Sequence, residues 1–360
     1  MENLMKAQMF YKPEEMTLVD VDVPDIAEDE VLIKVKACGI CGSDVAYYFG
    51  GSPLETESGQ GPLILGHEFS GEIVEIGSIA KNNSSFVVGD AVMANPVREC
   101  GACKYCARAQ VNLCENKRVK GVSVHGAFAE YVTMPYTHIF KVPDGISYAE
   151  ASLCEPLACG SNAVKKLDVN LGDTVVIFGP GTIGLMMLQL IKASGASRVV
   201  MVGILDYGLS KAKELGADFV YNTADKASPY YCDDLPGEIR NITDGEMANK
   251  VVVPTAAKSA IQGALEVSGK KARIVYFGLP SEKAVLEVPL LDFLTNDKTI
   301  VSSWLAPFTW DTAQSALKSG KLNVGSLITH TFKLEELIDG IKFMNDPAQP
   351  DKIKSVVVFD

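Results

Sequence analysis

A chain of 360 residues with 47% apolar and 22% charged side chains has the composition of a folded globular protein with room for about two cores, which excludes a disordered or collagen-like chain. Its 33 Lys and Arg against 45 Asp and Glu leave a net charge of −12, a surface that repels phosphate backbones and anionic lipid, so neither nucleic acid nor a membrane is an expected partner. The start, Met1-Glu2-Asn3-Leu4-Met5-Lys6, lacks the basic and apolar runs of a signal peptide, so a cytoplasmic location is expected.

In chain order, the first 150 residues read as short β-rich segments at 30–37, 69–76, 90–93 and 128–132, punctuated by Gly, Pro, Asn and Ser. From about residue 172 the texture changes. Strands at 174–178, 198–202, 219–221, 250–253 and 273–277 alternate with helical periods at 183–194, 209–215 and 260–267. This is the rhythm of a doubly wound parallel sheet. The uncharged run 175–191 is broken by Gly179, Pro180, Gly181 and Gly184 and is too short to span a bilayer. The last 60 residues mix helical and strand-like pieces and end in the apolar strand 355–359.

Four of the nine cysteines crowd into one stretch, Cys100-x₂-Cys103-x₂-Cys106-x₇-Cys114. Two-residue loops let neighbouring thiolates reach one tetrahedral Zn²⁺, and the longer loop returns the fourth; a closed shell of four sulfurs has no open position and is structural. Earlier in the chain, Cys41-Gly42-Ser43-Asp44 and Gly66-His67-Glu68 place a thiolate, an imidazole and carboxylates on separate loops. Such a set can hold Zn²⁺ with a position left for water or substrate.

Phe178-Gly179-Pro180-Gly181-Thr182-Ile183-Gly184 follows an apolar strand and opens an apolar helix, the context in which a G-x-G-x-x-G turn lets backbone amides approach a pyrophosphate. Gly179, Gly181, Thr182, Ile183 and Gly184 are therefore cofactor-binding candidates. The acid expected about 20 residues on, to bind the adenosine ribose, is missing at the strand end. Gly203 stands there and Asp206 is the next acid. A glycine at that place removes the charge that repels a 2′-phosphate, but no arginine follows to hold one unless Arg198 or Lys211 bends into reach. Both NAD and NADP stay open.

Gly66-His67-Glu68-x-x-Gly71-x₅-Gly77-x-x-Ala80 has the full spacing of the zinc alcohol dehydrogenase signature, between the Cys-Gly-Ser-Asp motif and the cysteine lobe. The chain resembles the zinc-dependent medium-chain dehydrogenases over essentially its full length, and within them the sorbitol (polyol) dehydrogenase branch. Cys41 to Tyr48, Gly126 to Tyr131, Glu155-Pro156-Leu157-Ala158 and Leu209 to Asp218 carry that resemblance. It implies a GroES-like β-rich catalytic domain at 1–150 with a zinc lobe at 95–116, a Rossmann domain at 151–295, and a return of 296–360 to the first.

By the same resemblance, Cys41 and His67 bind a catalytic zinc, with Glu68 as third ligand or close partner. Glu155 contacts that zinc directly or through its water, Asp44 orients His67, and Ser43 passes the alcohol proton. Two zincs per chain are expected, with NAD or NADP as second cofactor. The expected reaction interconverts a secondary alcohol of polyol, sugar-alcohol or sugar-phosphate type and its ketone. Simple secondary alcohols or an amino alcohol, as in threonine dehydrogenase relatives, are the alternative within the enzyme class; a non-catalytic cofactor-binding scaffold is the alternative outside it. The resemblance also implies a homodimer or homotetramer. Two departures stand out: Ala46 replaces the histidine that often ends the proton relay, and no arginine accompanies Trp304-Leu305. Val251-Val252-Val253-Pro254-Thr255-Ala256 also departs from the common ending of its strand.

Overall fold

The computed structural model describes residues 4–52 and 61–360. The chain divides into two compact units, one of residues 1–156, 313–318 and 324–360, the other of 157–312 and 319–323.

In the first unit, β1 (Leu4–Lys12), β2 (Glu15–Asp22) and β4 (Leu63–Ile64) form a three-stranded sheet that the sequence reading left unassigned. The larger sheet runs β10 (Ile139–Lys141), β6 (Ala91–Ala94), β5 (Glu68–Ile76), β3 (Glu30–Gly39), β18 (Lys354–Val358) and β17 (Ile328–Phe332), with β9 (Tyr131–Pro135) also pairing with β3. Val31, Ile33 and Val35 of β3 alternate toward a core that holds the fully buried Phe10, Phe69 and Phe128. The two-stranded ladder of β7 (Val97–Arg98) and β8 (Arg118–Val119) closes the base of the cysteine lobe. Short helices α1 (Gly42–Tyr48), α2 (Ser78–Asn83), α3 (Tyr148–Ser152) and α11 (Leu337–Asn345) complete the unit. Ser147 caps α3, accepting from the Glu150 amide at 3.2 Å while Glu150 accepts from the Ser147 amide at 3.0 Å.

The second unit is a six-stranded, all-parallel sheet in the order β13 (Phe219–Asn222), β12 (Arg198–Gly203), β11 (Thr174–Phe178), β14 (Ala248–Val253), β15 (Ser268–Tyr276), β16 (Thr299–Ser302). Val175, Val176, Ile177, Val200 and Val251 are fully buried, as strands covered on both faces require. Helices α5 (Thr182–Ala193), α6 (Asp206–Glu214), α7 (Leu235–Ile242), α8 (Lys258–Glu266) and α9 (Leu290–Thr295) alternate with the strands.

Two of the divisions between units fall inside α4 (Cys154–Leu167) and α10 (Trp310–Lys318), and the other two bracket the loop 319–323. A return to the first unit at residue 296 is therefore too early: Thr299 to Ser302 still pair in register with Arg273 to Tyr276 as the sixth parallel strand. A four-residue strand after a short helix gave too little pattern to be read in sequence. No helix among the described residues is long and apolar enough to cross a membrane.

Candidate active site

The β3 and β5 strands pair so that Gly39 lies opposite Glu68. Cys41, just past the end of β3, and His67, just before β5, are thereby neighbours across the end of one ladder. Cys41, His67 and Glu68 each offer a ligand atom within 4.8 Å of the others. Asp44, in the first turn of α1 and fully buried, ties both turns together. Its Oδ2 accepts from the Cys41 amide at 2.9 Å and its Oδ1 from the Gly66 amide at 3.4 Å. His67 Nδ1 lies 3.6 Å from the same Oδ1, within ion-pair range but without a formed hydrogen bond. With Nδ1 turned to Asp44, Nε2 is left as the donor atom. Ser43 Oγ stands 3.5 Å from that Nε2.

The donor chemistry fits zinc: a thiolate, an imidazole and a carboxylate on two adjoining turns. Electrostatics agree. Burial works against a charged His67, yet Asp44 and Cys41 beside it hold its pKa well above the usual histidine value. The same two neighbours, Asp44 and Cys41, would favour a cation bound at this place.

Lys354, which the sequence reading passed over, is the buried counter-charge. It is 3% exposed at the start of β18, where its Nζ donates to Glu68 Oε2 and, at 2.9 Å, to the Ile40 carbonyl. Burial opposes its charge and Glu68 more than restores it, so its pKa is raised. The contact depends on Gly39, because a Cβ there would strike the Glu68 carboxylate and sit 2.9 Å from Lys354 Cε. A lysine at the head of an apolar strand was the signal available in the sequence.

Glu155 lies outside this group of three. It is 9% exposed in the first turn of α4, at the positive end of that helix. Ala46, mid-way along α1, brings no side-chain donor or acceptor.

In the lobe, Cys100, Cys103, Cys106 and Cys114 form a second group with all sulfurs within 4.8 Å. Cys103 and Cys106 sulfurs are 3.6 Å apart and Cys100 and Cys106 4.0 Å, close to the edge of about 3.8 Å of a tetrahedral shell with bonds near 2.3 Å. Backbone amides of Cys106 and Glu115 bring the Cys103 thiol down to about 6. Burial and the neighbouring thiols push Cys106 up to about 12. Four sulfurs this close cannot all ionise without a shared cation, so this set also fits zinc.

In the second unit, Gly179 takes the left-handed φ of 110° that turns the chain out of β11. Its amide donates to the Val202 carbonyl at 2.8 Å, which sets the turn against the end of β12. Gly181 caps α5, whose first residues are Thr182 and Ile183, and a Cβ on Gly181 would meet nothing within 4 Å, leaving its backbone approachable. Pro254 and Thr255 close on Gly184 and Gly179 from the end of β14, which gives the unusual ending of that strand a packing role. Gly203 ends β12 and Asp206 begins α6.

Two family models match the chain, the alcohol dehydrogenase GroES-like domain over residues 27–144 and the zinc-binding dehydrogenase over 182–319. D-arabitol-phosphate dehydrogenase of Enterococcus avium is 35% identical over 90% of this chain and 89% of its own. Sorbitol dehydrogenase of Bacillus subtilis is 33% identical over 94% and 93%. Among solved structures, a Sinorhizobium meliloti 1021 protein described as a zinc-binding dehydrogenase and bound to NADP superposes with a TM-score of 0.88, at 27% identity and 99% coverage of both chains. Identity above 30% over nine tenths of the sequence, with the zinc-type donor sets in place, means that the chain belongs to the zinc-dependent medium-chain dehydrogenases, in their polyol dehydrogenase-like branch.

Proposed function

We propose that the protein interconverts a secondary alcohol of polyol, sugar-alcohol or sugar-phosphate type and its ketone, with NAD(P) as hydride partner. The set of half-buried Cys41 with buried His67 and Glu68, braced by Asp44, carries this reading. Cys41 and His67 would hold a catalytic zinc together with Glu68 or Glu155, and Cys100, Cys103, Cys106 and Cys114 a structural one. Bound there, zinc would supply a Lewis acid that lowers the pKa of an alcohol, and NAD(P) would take up the hydride.

The chain's own groups do the rest. Ser43 Oγ, beside His67 Nε2, takes the substrate hydroxyl proton and passes it to water, since Ala46 cannot receive it. Asp44 fixes the His67 ring and the backbone of both turns. Lys354 neutralises Glu68, which keeps an uncompensated carboxylate out of the buried pocket. Glu155 is suited to accept further substrate hydroxyls, which favours polyols over simple alcohols.

Finer points of assembly and location belong to the same reading. β16 is the edge of the parallel sheet, and Leu290, Leu291, Leu294 and Ile300 nearby in sequence are exposed. An open strand edge with apolar neighbours suits pairing with a second copy, so a homodimer or homotetramer through this unit is proposed. Nine cysteines without a disulfide suit the cytoplasm. The test is a purified-protein assay of polyols, sugar phosphates, 2-alkanols and L-threonine with both cofactors, with and without zinc chelation. Polyol or sugar-phosphate turnover that chelation abolishes is expected. Activity in fully zinc-free protein, or turnover confined to L-threonine or 2-alkanols, would overturn the reading.

A further inference from the structure

We infer that the first unit carries a second ligand site, on one face of its three-stranded sheet, that takes a small organic carboxylate with a hydrocarbon body. The inference goes beyond the dehydrogenase reading and does not rest on it. The site is a pocket of about 190 Å³. Strand register builds its walls. Met5 pairs with Val21 of β2 and Met9 with Ile64 of β4, so alternation puts these four side chains on the same face of the sheet, and Val132 of β9 joins them in the lining. Methionine thioethers are flexible and polarisable, so such a wall adapts to hydrocarbon of varied shape.

Two nitrogen groups join this apolar lining, Lys120 and His125. Lys120 Nζ donates to the neutral hydroxyl of Thr133 at 3.1 Å and makes no ion pair among the described residues. Glu30, the carboxylate whose charge reaches it, is already engaged by Arg98 at 3.8 Å and by the Ala27 amide at 3.2 Å. His125 is pinned by β4. Its Nδ1 accepts from the Ile64 amide at 3.1 Å, and the Gly126 amide donates to the Ile64 carbonyl at 2.7 Å. With Nδ1 as acceptor, the ring proton sits on Nε2, which is left as a donor.

Electrostatics point the same way. Burial lowers the pKa of Lys120, and burial together with the Lys120 charge lowers that of His125. Each group is a donor short of a negative partner. Asp22, the one carboxylate in the lining, is exposed at the rim, where water and salt screen its repulsion of an incoming anion. A bound carboxylate would accept from the Lys120 ammonium and from His125 Nε2, while its hydrocarbon covers Met5, Met9, Ile64 and Val132. A phosphate dianion would meet a single full positive charge and leave the apolar wall unused, so the carboxylate is favoured.

Calorimetric titration of the purified, zinc-loaded protein with sodium benzoate tests this, with benzamide, acetate and inorganic phosphate as comparisons. Benzoate is expected to bind with a Kd of about 1 mM or tighter, an ordinary efficiency for so small a ligand. Benzamide keeps the ring without the charge and acetate the charge without the ring, so each should bind at least about fivefold more weakly. Lys120→Met should weaken benzoate at least about tenfold, the loss of one charge-assisted hydrogen bond. His125→Ala, at an exposed position, should weaken it about threefold, and it keeps the test open if the lysine variant does not fold. Cys41→Ser should leave benzoate affinity within about twofold. No binding up to about 10 mM benzoate, or phosphate binding tighter than benzoate, would overturn the inference. So would unchanged affinity in a folded Lys120→Met, or in His125→Ala where that variant fails. Loss of binding in Cys41→Ser with retention in Lys120→Met would overturn it too, since the carboxylate would then occupy the catalytic metal site. None of these results bears on alcohol turnover, so the dehydrogenase reading stands or falls separately.

Discussion

Lys354→Met removes the only positive side chain seen against Glu68 among the described residues, in a place where both groups are almost fully enclosed, at 3% and 1% exposure. Methionine retains most of the apolar stem. What it loses is the ammonium that donates to Glu68 Oε2 and to the Ile40 carbonyl. Breaking a buried pair by deleting one partner costs about 3–5 kcal/mol, because the other charge stays buried without compensation. For a unit of this size, at about 2–4 °C per kcal/mol, that is a drop in Tm of about 6–20 °C. A bound zinc supplies positive charge near Glu68, so the drop should be smaller in zinc-loaded protein than after chelation. The double variant Lys354→Met/Glu68→Gln should recover at least half of the loss, since no full charge is then left in the pocket. Calorimetry or thermal unfolding by circular dichroism, with and without chelator, reads all of this. A single variant that melts within about 1 °C of the wild type in zinc-free buffer would refute the reasoning.

Four further outcomes are expected. Asp44→Asn loses the charge behind His67 and should weaken the catalytic zinc about 10–100-fold in chelator competition, with the lobe zinc unaffected; equal retention of both metals would count against it. Cys103→Ser should lower the zinc count from two to one per chain and reduce Tm, and elemental analysis that still finds two would show the lobe is no zinc site. Gly39→Ala pushes a methyl group into Glu68 and Lys354, so it should destabilise the first unit where Gly42→Ala, which meets nothing within 4 Å, is nearly neutral; similar melting of the two would contradict the packing. Asp90 is partly desolvated, which raises its pKa, but the Lys141 ammonium and the Val87 amide more than offset this and hold it below the usual carboxylate value. Its contribution is therefore present above the unfolded pKa near 4 and is lost as pH falls through the lower folded value. Asp90→Asn should flatten that acid limb slightly, since the Lys141 partner is 48% exposed, and an unchanged limb would mean the pair is idle.

Chemistry carried by short spacing was legible in the chain alone. Four cysteines within fifteen positions, or glycines at fixed offsets between an apolar strand and a helix, meet because the intervening loops are too short to do otherwise. The alternation of Thr174–Phe178, Thr182–Ala193 and Arg198–Gly203 was equally readable, since strands buried on both faces are apolar throughout. Groups joined over long separations were not. Lys354 reaches Glu68 across 286 residues because β18 pairs with β3 beside β5, a neighbour relation that no local pattern encodes. The same limit applied to Gly203: in sequence it stood only for a missing charge, and the structure adds that a Cβ there would lie 2.6 Å from Pro180 Cδ. Sequence spacing determined which residues could form each metal or cofactor turn. Tertiary structure decided which charges face one another inside them, because burial and strand register are properties of the packed chain.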